Sequence, residues 1–388
     1  MTSSRTIGEI DLIGDTALTE LARHVGPAHV SLFMPTHRAG PDTRQDPIRF
    51  RNLLGRAADL LTDQEGLTAR EADELLAPAR ELGDDGGFWQ HLADGLALYV
   101  APGLTRTFRV PLDLGEDVTV GPRFRLRPLL PMLAGDGSYL VLAVSQNEVR
   151  LYAGTRFTIA ELDPGPVPTS MAEALAHEDP EAQLQVRSSG EGGMFHGHGE
   201  GDEVDKQRLE RYLRAVDRGL AERIGSRRRT PLVLASVAYY LPLFAGVSDH
   251  PGLADRAVEG NPENRSPQEL HAAAWEIVAP TFEAARRDAA EALQRDQGTG
   301  QASTDVAAVV HAALEGRVDT LFLAGDSPVW GRLAGDPPGA VVHDTYQAGD
   351  DDLVDLAASE TLLTGGTVYP GETLPSEDGS LVAARFRW

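Results

Sequence analysis

The chain has 388 residues, 41% of them hydrophobic, which is enough for two or three domains with buried cores. It contains no cysteine, which excludes disulfides, thiolate zinc sites and cysteine nucleophiles and predicts a cytoplasmic location. The net charge of −24 disfavours DNA as a partner and leaves RNA contact only through a local basic patch. No apolar run approaches the ~20 residues that span a bilayer, so no membrane partner is expected.

Residues 1–134 are predicted to form an N-terminal α/β domain. Asp46, followed by Pro47, begins one of its helices. Thr68 and Glu71 form a capping box that begins the next helix. The other elements predicted here are a helix over Thr16–His24, strands over His29–Met34, Gly95–Ala101 and Thr107–Leu112, and a short helix over Leu126–Leu133.

Residues 135–265 are predicted to form a central domain that opens with strands joined by tight turns. A proline-rich crossing follows, and then a strand, a glycine-rich loop and a long helix. A buried strand and a short helix complete this part. The predicted strands are Tyr139–Ser145, Glu148–Thr155, Phe157–Leu162, Gln185–Ser188 and Pro231–Ala235, and the last helix is Tyr240–Gly246.

Residues 266–388 alternate helices with buried strands, which is typical of an α/β layer. Ser266 and Glu269 form a capping box for a helix that we expect to reach Arg295, with an interruption at Pro280. The other predicted helices are Asp305–Glu315 and Asp351–Leu363, and the strands are Val318–Ala324, Val341–His343, Thr367–Tyr369 and Leu381–Phe386.

The most informative stretch joins the glycine-rich loop to the long helix. The loop, Gly190–Gly201, contains six glycines and is a poor core builder. In the helix, predicted over about Asp202–Arg223, apolar residues share one stripe. Arg211, Arg214 and Arg218 lie almost opposite, so one face should pack into the protein while the other presents three guanidinium groups. The apolar stripe consists of Leu209, Tyr212, Leu213, Val216, Leu220 and Ile224.

His196 and His198 lie in the glycine loop, and three interpretations are open. The first is a metal site completed by Glu200, although a catalytic site needs rigidly held ligands, so we expect neither metal nor other cofactor. The second is that the loop tip enters the active site of another molecule, where a histidine or a backbone N–H polarises water or an oxyanion. The third is an exposed loop without chemistry.

Three other groups have structural interpretations. His37 and Arg38 could bind an anion, but we expect them to anchor their loop by hydrogen bonds. Tyr239 and Tyr240 follow a buried strand, a position more typical of packing than of a stacking platform. The run Asp350–Asp352 is expected to favour the dipole of a helix N-terminus rather than to bind a metal.

In their order and spacing, several blocks resemble the archaeo-eukaryotic class-one release factor and Pelota superfamily, and most closely its third bacterial family. Val30–Thr36 and the helix after Pro47 resemble the start of the family's first domain, and Tyr139–Thr155 the first strands of its central domain. Arg211–Val216 resembles the basic helix that follows the catalytic loop of release factors. Asp305–Ala324 resembles the third domain, which is related to kink-turn RNA-binding ribosomal proteins.

The resemblance implies a three-domain α/β architecture like that of release factors. It predicts an N-terminal α/β domain over 1–134 and an RNase-H-like central domain over 135–265 that carries the loop 190–201. An α/β/α sandwich is predicted over 266–388.

In that family the loop carries Gly-Gly-Gln, enters the ribosomal peptidyl-transferase centre and helps water to hydrolyse peptidyl-tRNA. The nearest match here is Gly192-Gly193-Met194, so the glutamine amide is missing. The backbone N–H of Met194, with His196 or His198, is then expected to supply the polar groups. The stop-codon motif Asn-Ile-Lys-Ser is also absent, which favours ribosome rescue or a non-hydrolytic, Pelota-like role over codon-directed termination.

We therefore expect a bacterial, ribosome-associated protein that resembles release factors. Whether it hydrolyses peptidyl-tRNA stays open: the alternatives are a non-catalytic, Pelota-like adaptor or stress factor and a metal-dependent hydrolase. The expected partners are rRNA and peptidyl-tRNA, and the oligomeric state is left open. The residues expected to contact RNA phosphates are Arg211, Arg214, Arg218, Arg227, Arg228 and Arg229.

Overall fold

A computed structural model describes residues 15–38, 40–90, 92–132, 138–176, 200–225, 230–335, 339–371, 373–375 and 379–388. By its internal contacts the chain divides into two units, one formed by Met1–Asp136 with Ala284–Trp388 and the other by Gly137–Glu283. The predicted fold class is confirmed, since the chain is mixed α/β with several sheets. The predicted domain boundaries and the RNase-H-like character of the central part stay predictions.

The amino-terminal part of the first unit is an antiparallel sheet, ordered β3-β2-β1-β4, with two helices packed on one face. The capping box of Thr68 and Glu71 begins the second of the packed helices, as predicted. The elements are α1 Asp15–Ala22, β1 Val25–Pro35, α2 Asp46–Asp63, α3 Ala69–Asp84, β2 Gly95–Ala101, β3 Leu104–Val110 and β4 Asp117–Arg123.

The second unit is a five-stranded sheet, ordered β7-β6-β5-β8-β9, in which β5, β8 and β9 are parallel. Because side chains alternate along a strand, the two faces of β5 enter two different cores. Helices α4, α5 and α6 cover one face, and the first half of α7 covers the other. The bounds are β5 Tyr139–Val144, β6 Val149–Gly154, β7 Ile159–Leu162, α4 Met171–Ala176, α5 Glu200–Ile224, β8 Leu232–Ser236, α6 Tyr240–Ala245, β9 Val258–Glu259 and α7 Pro267–Asp296.

The carboxy-terminal part of the first unit contains two small sheets, ordered β10-β16-β11-β15 and β13-β12-β14. Its helices α8 and α9 contact each other and the strands of both sheets. The bounds are β10 Ala302–Ser303, α8 Val306–Leu314, β11 Val318–Ala324, β12 Trp330–Ala334, β13 Gly339–Val342, β14 Asp351–Asp352, α9 Leu353–Leu363, β15 Thr367–Gly371 and β16 Val382–Phe386.

One local expectation was wrong, and strand β12 was missed. Helix α7 runs through Pro280 without interruption, because Val278 and Phe282 pack into the same core on either side of the proline and offset its missing hydrogen bond. Strand β12 was not predicted, since its side chains are mostly half-buried or exposed and form no apolar run. Asp352 caps the N-terminus of α9, as expected for part of the run Asp350–Asp352.

Three arginines at alternate positions join the amino-terminal and carboxy-terminal parts of the first unit. Arg123 Nη1 lies 3.2 Å from Asp351 Oδ2. Arg125 Nη2 donates to the carbonyl of Asp326 at 2.8 Å, and Arg127 Nη2 donates to the carbonyl of Ser327 at 2.7 Å. The period of two suits an extended segment, whose alternate side chains point the same way.

A buried carboxylate completes this connection. Asp355, on α9, accepts backbone hydrogen bonds from Leu126 at 2.9 Å and from Arg127 at 2.6 Å. Burial, and then the nearby Asp352 carboxylate, raise the pKa of Asp355 to about 7, despite those two hydrogen bonds. The folded first unit therefore binds a proton that an unfolded aspartic acid, with a pKa of about 3.9, would release at pH 5 to 6.

We expect Asp355 to make the first unit less stable as the pH rises from about 4 to about 7. In that range the folded state holds more protons than the unfolded state, so the free energy of unfolding falls with increasing pH, by at most ~4 kcal/mol. Asp355→Asn should reduce the difference between urea midpoints at pH 5 and pH 8. The control is Asp344→Asn, which removes an exposed carboxylate. An unchanged pH slope in Asp355→Asn would contradict the assignment.

The packing of α5 includes one place where only glycine fits. A Cβ added to Gly219 would lie 2.6 Å from the carbonyl oxygen of Pro166 and 2.7 Å from Cα of Val167. These are backbone atoms, which cannot rotate away as a side chain can. In α2, by contrast, a Cβ added to Gly55 meets nothing within 4 Å.

The two glycines should therefore respond to alanine with opposite signs. Gly219→Ala should lower the stability of the second unit by about 1–3 kcal/mol, since overpacking outweighs the gain in helix propensity. Gly55→Ala should raise stability by about 0.5–1 kcal/mol, because propensity acts there alone. Thermal denaturation followed by circular dichroism measures both. A stabilised Gly219→Ala variant would show that α5 does not lie against residues 166–167.

Candidate functional site

Helix α5 has the predicted amphipathic character. Five residues of its apolar stripe are at most 6% exposed and join the core formed with β5, β6 and β8. The hydroxyl of Tyr212 donates to the carbonyl of Ser145 at 2.6 Å. Arg223 Nε donates to the carbonyl of Asp163 at 2.9 Å, so contacts in the middle of the helix and near its end limit its rotation. The buried stripe consists of Leu209, Tyr212, Leu213, Val216 and Leu220, with Ile224 packed against the same core.

The opposite face of α5 is exposed and basic. Arg211, Arg214 and Arg218 are all exposed, as predicted. Arg214 Nη2 lies 3.7 Å from Glu210 Oε2, an exposed pair of the kind that contributes ~0–1 kcal/mol. Within the part of the chain that the structure describes, Arg211 and Arg218 form no ion pair. Glu222 is exposed about one turn beyond Arg218, so the run of positive side chains on this face ends there.

We call Arg211, Arg214 and Arg218 the basic face of α5. Guanidinium groups that are exposed and weakly paired are suited to phosphate groups, which they bind through two parallel hydrogen bonds. Burial of the opposite stripe holds the three on one side. The arrangement can therefore bind a polyanion, while its arginines offer no acid–base chemistry, since guanidinium stays protonated.

Several predicted site residues lie outside the described residues. They include the glycine loop, except for its last two residues at the start of α5. They also include the predicted strand Gln185–Ser188 before the loop. The predicted catalytic set Gly192, Gly193, Met194, His196 and His198 falls there, as do Arg227, Arg228 and Arg229. Their proposed roles stay predictions.

The loop after β1 is anchored by hydrogen bonds, as expected. His37 Nδ1 lies 2.9 Å from Oδ1 of the buried Asp46, and Arg38 Nη2 lies 2.6 Å from Asp94 Oδ2. His343 Nδ1 lies 2.9 Å from Oδ2 of the buried Asp350, so that aspartate of the acidic run closes a loop rather than serving the helix dipole.

Sequence reasoning missed one surface feature near α5. Tyr240 is buried, as packing requires, but Tyr239 is 55% exposed. The spacing of Tyr240 and Phe244, which are both buried and four residues apart, could have indicated this. It places the inward face of α6 at those two positions and leaves the preceding tyrosine about 100° away.

No helix among the described residues is long and apolar enough to cross a membrane.

Comparisons with known structures give low similarity over nearly the whole chain. The archaeal translation termination factor aRF1 is 17% identical, with 98% of this chain and 100% of that chain covered and a TM-score of 0.24. Ribosome-bound archaeal Pelota, in a model with ABCE1, is 9% identical over 96% of this chain and 94% of that chain, with a TM-score of 0.37. Pelota from Archaeoglobus fulgidus is 9% identical, with coverages of 96% and 91% and a TM-score of 0.24. TM-scores below 0.5 do not establish that this chain shares its overall structure with these proteins.

The family comparison is more specific. No curated protein matches the chain. Residues 138–317 match the profile of bacterial archaeo-eukaryotic release factor family 3. The matched range contains the glycine loop, α5 with its basic face, and the sheet of the second unit. The resemblance predicted from the sequence is thereby confirmed: residues 138–317 of this chain are similar to bacterial archaeo-eukaryotic release factor family 3.

Proposed function

We propose that this protein is a ribosome-associated factor that acts in ribosome rescue, and that the basic face of α5 contacts phosphates of rRNA or peptidyl-tRNA. The observation that carries the proposal is the basic face itself, which lies on the helix that follows the glycine loop, inside the range that matches the family. Arg227, Arg228 and Arg229 follow the same helix in sequence and extend the proposed contact.

Charge supports a local contact rather than a general affinity for RNA. The chain as a whole carries a net charge of −24, so most of its surface repels phosphate. Three weakly paired arginines on one side of a helix can still displace counterions where they meet RNA. Removing one arginine that touches a phosphate should lower the salt dependence of binding by about one unit in a plot of log affinity against log salt.

We expect Arg211→Gln, Arg214→Gln and Arg218→Gln together to weaken co-sedimentation with ribosomes and to reduce its salt dependence. The control is Arg51→Gln, Arg56→Gln and Arg70→Gln, which removes the same charge from exposed positions on α2 and α3. Sucrose-gradient sedimentation at several salt concentrations measures both variants. Equal weakening in the two variants would mean that net charge, not the face of α5, governs binding.

For the chemistry we propose that the glycine loop enters the peptidyl-transferase centre and promotes hydrolysis of peptidyl-tRNA. The backbone N–H groups around Gly192, Gly193 and Met194 would stabilise the oxyanion, and His196 or His198 would polarise water. The second candidate is a non-catalytic adaptor. It is favoured by Met194, whose thioether cannot position water as a glutamine amide does.

A release assay on stalled ribosome–peptidyl-tRNA complexes separates these candidates. We expect the wild-type chain to release peptide, and His196→Ala with His198→Ala to reduce the rate by about 10²–10⁴-fold, the usual contribution of general acid–base catalysis. Met194→Gln should raise the rate. Binding without release by the wild-type chain would support the adaptor instead. Release that is abolished by a chelator and restored by zinc would support the metal-dependent hydrolase.

A further inference from the structure

The exposed Tyr239 is held in place by its neighbours. Its ring meets the ring of Tyr240 edge to face, with centroids 4.9 Å apart and an interplanar angle of 79°. Tyr240 is only 2% exposed and belongs to the core that buries α5. Tyr239 is thus a solvent-facing aromatic ring fixed on a rigid support.

Helix α6 packs beside α5, and contacts at its two ends define how the helices lie. At the start of α6, Tyr240 lies near Tyr212: burial, and then this neighbour, raise the pKa of the Tyr212 hydroxyl. Just beyond the end of α6, Ser248 Oγ donates to Asp217 Oδ1 at 2.5 Å. Helix α6 therefore runs alongside α5 from the level of Tyr212 toward Asp217, and Tyr239 lies at its beginning.

The flank of α5 that faces α6 includes part of the basic face. Asp217, which bonds Ser248, lies three residues after Arg214, and residues three or four apart share one side of a helix. Glu210 and Lys206, which precede Arg214 by four and eight residues, lie on this same flank. Arg214 and Lys206 are both exposed, so two positive side chains lie on this flank together with Glu210, which pairs with Arg214.

We infer that Tyr239 is a stacking platform for an unpaired RNA base, whose flanking phosphates lie on the basic face of α5. This inference rests on the proposed function, since it identifies which part of the RNA the surface binds. Single-stranded binding sites combine positive charge along the backbone with aromatic rings on which bases stack. An unpaired base can turn its face toward a protein ring, whereas a base inside a duplex is already stacked on its neighbours.

The surface around Tyr239 suits a single-stranded RNA better than a protein or a duplex RNA. An apolar protein partner would favour a continuous apolar patch, whereas beside Tyr239 the exposed side chains of α5 are charged. A duplex RNA could use the arginines but not the ring. A single strand uses both, because the ring takes a base face while the guanidinium groups take phosphates.

Fluorescence anisotropy on the full chain at low salt tests the inference. One probe is a labelled oligouridylate of about 12 nucleotides, a length within the usual size range of single-strand sites, and the other is a duplex RNA of the same length. Tyr239→Ala should weaken binding of the single strand by about 5- to 150-fold, the range for loss of one stacked base. Tyr239→Trp should retain the affinity, because tryptophan offers a ring of at least equal size. Binding of the duplex should not change in either variant.

The salt dependence separates stacking from charge. Tyr239→Ala should leave the salt slope unchanged, whereas Arg211→Gln, Arg214→Gln and Arg218→Gln together should reduce it by about two units on a single strand. Trp388→Ala, which removes another exposed aromatic residue, is the matched control and should have no effect.

Three results would overturn the inference. Tyr239→Ala could bind the single strand as tightly as the wild-type chain does, or it could lose affinity for the duplex and the single strand equally. The third result is that the wild-type chain shows no detectable binding of the single strand. If Tyr239→Ala binds the single strand normally while ribosome co-sedimentation still depends on the arginines, the stacking platform fails and the proposed function stands. If the wild-type chain does not co-sediment with ribosomes, the proposed function fails, whether or not the chain binds the oligonucleotide.

Discussion

Burial of the apolar side of α5 against the sheet of the second unit determines where its arginines point. Five side chains of the stripe are almost completely buried, and each contributes roughly 1.5–3 kcal/mol. The Glu210–Arg214 pair on the opposite side is exposed and contributes at most ~1 kcal/mol. Packing therefore decides the rotation of the helix, and ion pairing does not. Because the arginines are not needed to hold the helix, their positive charge stays available for a partner.

A different constraint holds the first unit together. Arg123, Arg125 and Arg127 each reach from the amino-terminal part to oxygen atoms of the carboxy-terminal part, and the Asp355 side chain reaches back to accept from backbone N–H groups of the amino-terminal part. Desolvation makes such buried polar contacts costly, so their net contribution to stability is small. These contacts specify one alignment of residues 123–127 against the carboxy-terminal part. A shift by one residue would leave a buried carboxylate and a buried guanidinium without partners.

The features that the sequence predicted correctly depend on neighbours within one helical turn. The stripe of α5, the capping box at Thr68 and the cap at Asp352 are of this kind. Asp355 could not be assigned in the same way, because its partners lie 228 and 229 positions away in the chain. Helix α7 passes Pro280 for a similar reason, since the core on both sides overrides a local rule. The glycine loop was singled out by its composition, and only the family resemblance assigned a role to Gly192, Gly193 and Met194.

The acidic net charge and the basic face of α5 have complementary effects on binding. At physiological ionic strength the Debye length is about 8 Å, so charges elsewhere on the chain are largely screened from a phosphate that touches Arg211 or Arg214. At longer range the excess of carboxylates lowers the rate at which arbitrary RNA approaches. A protein with this distribution should bind free RNA weakly and hold only an RNA surface that presents phosphates to α5 in a matching geometry. Its selectivity then comes from repulsion by most of the surface as much as from attraction at one face. A basic protein with the same helix would lack that discrimination.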